Sequence, residues 1–95
     1  MLRIMAVCGS GLGTSFMVEM NIQSILKDLG VADQVTVSHT DLGNASAGDA
    51  DVWIAGKDLE NSVQHLGDVR ILNSIIDMDE LRTVIEQVIE EKGIK

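Results

Sequence analysis

Residues 2–15 read Leu2-Arg3-Ile4-Met5-Ala6-Val7-Cys8-Gly9-Ser10-Gly11-Leu12-Gly13-Thr14-Ser15. An apolar run stops at a glycine cluster, and a stretch with helical periodicity follows. Leu2 to Val7 predicts a short buried strand. Residues 8–14 predict a tight loop, and residues 15–29 a helix. The glycines let the backbone fold back and turn successive N–H groups inward, which makes an anion nest. The helix beyond the loop adds unsatisfied N–H groups and the positive end of its dipole. Ser10, Thr14 and Ser15 supply hydroxyl donors. Cys8 enters this concavity, and cysteines at helix N-termini ionise more readily than free ones. The pattern predicts a nucleophile inside a phosphate-shaped cradle.

Outward from that loop the chain keeps alternating. Gln34 to Ser38 predicts a second strand around β-branched Val35, Thr36 and Val37. Residues 39–50 are small and turn-like. Asp51 to Ala55 predicts a third strand, and Asp58 is placed to cap a short helix over 59–66. Val69 to Leu72 predicts a fourth strand. Asp77 and Glu80 have capping-box spacing before a last helix whose apolar positions are Leu81, Val84, Ile85, Val88 and Ile89. Strand and helix in alternation predict an α/β fold: one four-stranded parallel sheet, order 2-1-3-4, with helices on both faces. In such sheets a ligand sits beyond the carboxyl ends of the strands where the order reverses. Here that is the gap between the first and third strands, above Cys8.

The 95 residues are enough for one domain, spanning 1–95. A net charge of −8, from fifteen acids and seven bases, argues against nucleic acid, because phosphate backbones need a basic face. Residues 1–18 nevertheless contain no acid, and their one base is Arg3. A buried opening strand accounts for part of this; a first turn that must accept an anion accounts for it more sharply. No apolar stretch approaches membrane-spanning length, and no basic region with a cleavable apolar run opens the chain. A single cysteine forms no internal disulfide and fits a reducing cytosol. A cytosolic protein is expected.

Several chemistries could use such a loop. A Walker nucleotide loop needs a lysine after the glycines, and none follows. A dinucleotide fingerprint fails at Thr14, which stands where the third glycine belongs. A redox pair would place its second cysteine where Gly11 stands. A cysteine phosphatase needs an arginine at the position of Thr14 and a carboxylic acid for the leaving group, commonly beside a proline. This chain has no proline. A phosphatase or arsenate-reductase-like enzyme and a non-catalytic phosphate-binding module stay open as alternatives. A lone cysteine after a buried strand can also be simply a small core residue, though the glycine loop would then lack a purpose. A loop that binds phosphate on sulfur without clamp or acid suits carrying the group better than hydrolysing esters.

The loop Cys8-Gly9-Ser10-Gly11-Leu12-Gly13-Thr14-Ser15, after Arg3-Ile4-Met5-Ala6-Val7, resembles the phosphocysteine loop of enzyme IIB components of bacterial sugar phosphotransferase systems. It is most similar to the ascorbate, galactitol and mannitol-like group, with the ascorbate type nearest. The resemblance implies a fold close to low-molecular-weight tyrosine phosphatases. It also implies that Cys8 takes a phosphoryl group from a IIA phosphohistidine and passes it to a sugar held by a membrane-embedded IIC partner. No metal or other cofactor is expected, because nest and dipole supply the positive potential. The backbone of residues 9–15 (Gly9, Ser10, Gly11, Leu12, Gly13, Thr14 and Ser15), with the Ser10 and Thr14 hydroxyls, is expected to hold the phosphoryl oxygens.

Three further positions stand out. His39 ends the second strand and could pair with Cys8 as a base, although such a histidine is more often a polar loop residue. Lys57, after the third strand, faces the same rim and could attract phosphate. On the first helix, Val18, Ile22, Ile25 and Leu29 define a core face, and Phe16 and Met20 fall nearly opposite. They are expected to form an exposed docking patch beside the loop, unless residues 39–50 cover them.

Overall fold

A computed structural model describes residues 1–9 and 13–94. The strands are β1 (Leu2–Cys8), β2 (Val35–Asp41), β3 (Val52–Gly56) and β4 (Val69–Leu72), and the α-helices are α1 (Gly13–Leu29) and α2 (Met78–Glu91). The strands form one sheet in the order β2-β1-β3-β4, with every neighbouring pair parallel. This is the order that the alternating pattern predicts. Several boundaries move by a residue, and two move further: α1 begins at Gly13, and β2 runs on to Asp41, so His39 lies within the strand instead of at its end.

The two central strands are buried according to their alternation. Leu2, Ile4 and Ala6 of β1 and Val52 and Ile54 of β3 face α1 and α2, where they meet Val18, Ile22, Ile25 and Leu26 of α1 and Leu81, Ile85, Val88 and Ile89 of α2. Val7, Trp53 and Ala55 face the other way and pack on Leu59, Val63 and Leu66. All five residues of β3 are therefore buried, which explains its unbroken run Val-Trp-Ile-Ala-Gly. Each Val, Leu or Ile side chain so enclosed contributes about 1.5–3 kcal/mol.

Helical layers cover both faces, but unequally. Right-handed crossovers put a connection that steps one way along the sheet on one face, and a connection that steps the other way on the opposite face. The step from β1 to β2 carries α1. The steps toward β3 and β4 run the other way, and their connections are 3₁₀ turns at Leu42–Asn44, Ala47–Asp49, Lys57–Leu59 and Gln64–Leu66. The single short helix expected over 59–66 is thus two separate turns. The Lys57–Leu59 turn has Gly56 at its N-cap, with no side-chain cap, so Asp58 does not play that part. α2 follows the last strand, is bound by no crossover, and lies beside α1 in the same core.

Asp77 caps α2 as its spacing predicts, accepting from the N–H groups of Asp79 and Glu80. Glu80 does not close a box on Asp77. Its carboxylate accepts from the N–H groups of Asn73 and Ser74 at 2.8 and 3.0 Å, pinning the connection that leaves β4. Among the described residues, no helix is long and apolar enough to cross a membrane.

Candidate functional site

β1 delivers Cys8 to the carboxyl end of the sheet, level with Asp41 on β2. On its other side Val7 is level with Ala55, which sets Gly56, the last residue of β3, beside Cys8. Between β1 and β3, where the strand order reverses, lies a small crevice lined by Ala6, Val7, Ile54, Ala55, Thr14 and Ser15, among others. The sequence places its candidate ligand position there.

The sulfur has a defined environment. Cys8 is 7% exposed, and its Sγ lies 3.2 Å from Ser15 Oγ and 3.8 Å from the Thr40 carbonyl oxygen. Ser15, in the first turn of α1, is 1% exposed and is the buried polar residue among those described. The thiol can donate to either oxygen. Once the sulfur loses its proton, the Ser15 hydroxyl is the partner that can turn and donate to it. The first turn of α1 holds no acid, so nothing in that turn cancels the positive end of the dipole.

Thr14 is exposed and lines the crevice. Gly13 is exposed at the helix start, and a Cβ there would meet no other atom within 4 Å. A Cβ on Gly9 would stand 3.4 Å from Leu59 Cδ2, so the loop leans on the Lys57–Leu59 turn. Neither Gly9 nor Gly13 takes a positive φ; among the described residues only Gly30, Gly67 and Gly93 do. Ser10, Gly11 and Leu12, the other expected phosphate contacts, lie outside the described residues, as does any left-handed angle at Gly11.

The structure puts His39 with different company from that considered for a base. It is level with Ala6, two residues short of the cysteine. Its Nδ1 lies 2.6 Å from Glu19 Oε1, and its ring meets the Phe16 ring edge-on with centroids 5.4 Å apart. A carboxylate accepts only, so Nδ1 carries the proton in this contact. Phe16 and Met20 are 49% and 53% exposed, as their helical phase predicts, and Met17 between them is 37% exposed. Residues 39–50 touch Phe16 through His39 but do not cover it. Ile76, on the connection after β4, and Met78, the first residue of α2, are also exposed, and the sequence does not mark them. Ile76 follows Ile75 and Met78 stands between Asp77 and Asp79, a stretch too short for periodicity to assign them a face. Among the described residues, no three His, Cys, Asp or Glu side chains group so that they could hold a metal ion.

A parallel α/β domain with a buried cysteine at its switch point, bonded into the first turn of the following helix, is a cysteine-loop domain. Comparison with known proteins narrows that class. The family model described as "PTS system, Lactose/Cellobiose specific IIB subunit" matches residues 3–87. The chain belongs to this family of phosphotransferase-system IIB components, which are sugar-transport phosphotransferases working with IIA and IIC components. It is also similar to an ascorbate-specific PTS system EIIB component of Mycoplasma pneumoniae, at 24% identity over 90 residues, covering 93% of this chain and 95% of the relative.

Proposed function

We propose that the chain is a phosphoryl carrier that works through a phosphocysteine at Cys8. The observation that carries this is the 3.2 Å contact between Cys8 Sγ and the buried Ser15 hydroxyl, at a helix start free of acids. In the first step the Cys8 sulfur attacks the phosphorus of a IIA phosphohistidine. The S–P bond forms, the N–P bond breaks, and its electron pair returns to the imidazole nitrogen, which takes up the proton the thiol gives up. In the second step a sugar hydroxyl held by the IIC partner attacks the same phosphorus. The S–P bond breaks with its pair on sulfur, and the hydroxyl proton balances it.

The transition state is loose, with charge spread over three oxygens. Backbone N–H groups of residues 9–15, with the Ser10 and Thr14 hydroxyls, hold those oxygens. Ser15 serves the sulfur: its hydroxyl steadies the thiolate that attacks in the first step and leaves in the second. No step needs a metal or an organic cofactor. Phe16 and Met20 form an apolar rim against which donor and acceptor close in turn. Excluding water there protects the phosphocysteine from hydrolysis. The carrier works in the cytoplasm, against the inner face of the membrane through IIC. The loop pattern and the Mycoplasma relative favour ascorbate among the sugars.

The test is reconstitution. Purified chain with a phosphorylated IIA component should gain one phosphoryl group on Cys8, and should phosphorylate ascorbate only when IIC is added. Steady hydrolysis of a generic aryl phosphate, without labelling by IIA, would overturn the carrier reading in favour of a phosphatase.

A further inference from the structure

The basic residues of this acidic chain are mostly spoken for. Arg3 pairs with Asp51, Arg70 with Asp68 and Glu91, Arg82 with Asp28, and Lys92 with Asp68. Among the described residues, Lys27 and Lys57 make no ion pair. Lys27 sits in the last turn of α1, about 20 Å along the helix from the cysteine loop. Lys57 follows Gly56, which stands beside Cys8, and it opens the turn whose Leu59 backs Gly9. Its exposed side chain lines a groove across the carboxyl ends of β3 and β4, together with Asn73, Ser74 and Ile76. That groove shares Gly56, Leu72 and Ile75 with the crevice lined by Thr14 and Ser15.

The rim also carries acids. Asp58 is adjacent, with Oδ1 over Gly56, since a Cβ there would meet it at 2.8 Å. Asp41 accepts from the backbone and side-chain amides of Asn44, and Glu19 is bound to His39. With these acids nearby and a net charge of −8, an incoming phosphoryl dianion is repelled as it nears the loop. A rim cation with no partner to give up is the group that can offset this. Lysine, a point charge on a flexible stem, suits oxygens that move during transfer.

Resting on the carrier reading above, we propose that Lys57 is a catalytic residue of both transfers. Its ammonium reaches the phosphoryl oxygens from the β3 side while the nest holds them from the helix side. Lys57 forms no covalent bond and exchanges no proton; it stabilises the charge spread over the oxygens as one bond to phosphorus breaks and the other forms.

The test is single-turnover labelling of Cys8 by a phosphorylated IIA component across donor concentrations, with Lys57→Met, Lys57→Arg and Lys27→Met. Lys57→Met should cut the saturating rate about tenfold, and Lys57→Arg should restore it to within about threefold. Lys27→Met should match wild type, and all three should melt as wild type does. A Lys57→Met rate equal to wild type would overturn the proposal. So would a change in half-saturation alone, which marks a docking contact, or an equal loss in Lys27→Met, which marks net charge. Wild-type protein that is never labelled on Cys8 would overturn the carrier reading and this proposal together.

Discussion

Ser15→Ala separates a residue that serves the sulfur from one that merely fills space. The serine is 1% exposed and its Oγ lies 3.2 Å from Cys8 Sγ. With the proton on sulfur this contact is a neutral hydrogen bond, and such a bond contributes about 0.5–1.5 kcal/mol net. Removing it should lower the melting temperature by roughly 4–8 °C per kcal/mol in a domain of this size. During transfer the sulfur bears negative charge, and a hydrogen bond to a charged group contributes about 1.5–3 kcal/mol. The transfer rate should therefore fall by about 10- to 100-fold, more than the stability loss would suggest. Labelling of Cys8 by a phosphorylated IIA component gives the rate. Trp53, fully buried and the only tryptophan in the chain, reports the melt by its fluorescence. A lower melt with an unchanged transfer rate would refute the reasoning and leave Ser15 a packing residue.

Two other outcomes follow from the surface. Phe16→Ser should cost about 1 kcal/mol or less in stability, because only half of the ring is buried; it should weaken transfer from the donor mainly through affinity, read from rates across donor concentrations. A fall of many degrees in the melt would instead make Phe16 a core residue. The second outcome concerns acid. The Arg70 guanidinium, aided by the Lys92 ammonium, lowers the Asp68 carboxyl to about 2. A depressed carboxyl contributes stability that is present above its unfolded value, about 3.9, and is lost as pH falls through the folded one. Asp68→Asn should thus melt below wild type at pH 7, with the gap closing between about pH 4 and pH 2; a gap that stays constant over that window would count against the ion pair.

How much of this was legible in the sequence depends on the range of the interaction. β1 and α1 are written locally, as an apolar run and a 3.6-residue period, and they appear within two residues of their expected limits. Alternation of strand and helix implies the parallel sheet, and the expected order 2-1-3-4 is the one found. The stretch 59–66 reads as one helix because its apolar residues, Leu59, Val63 and Leu66, have helical spacing while serving two 3₁₀ turns. The sequence marks Ser15 as a donor to phosphate; its burial against Sγ, seven residues from Cys8, depends on the folded chain. The Glu19–His39 pair joins a helix to a strand twenty positions away, and no spacing rule reaches that far. Lys57 stands out by its place after a strand, but that it makes no ion pair among the described residues is visible only once the acids around it are placed.

Cys8 as the carrier is the claim on which the rest depends. The measurement is peptide mapping of the chain after incubation with a phosphorylated IIA component, run beside Cys8→Ser, a change that should leave the fold intact. Serine is hardly ionised at neutral pH and lacks the nucleophilicity of sulfur. The account predicts a single phosphoryl group on Cys8 of the wild type, and neither label nor sugar phosphorylation with the variant. A phosphoryl group found on His39, His65 or a serine of the wild type, or sugar phosphorylation retained by Cys8→Ser, would contradict it.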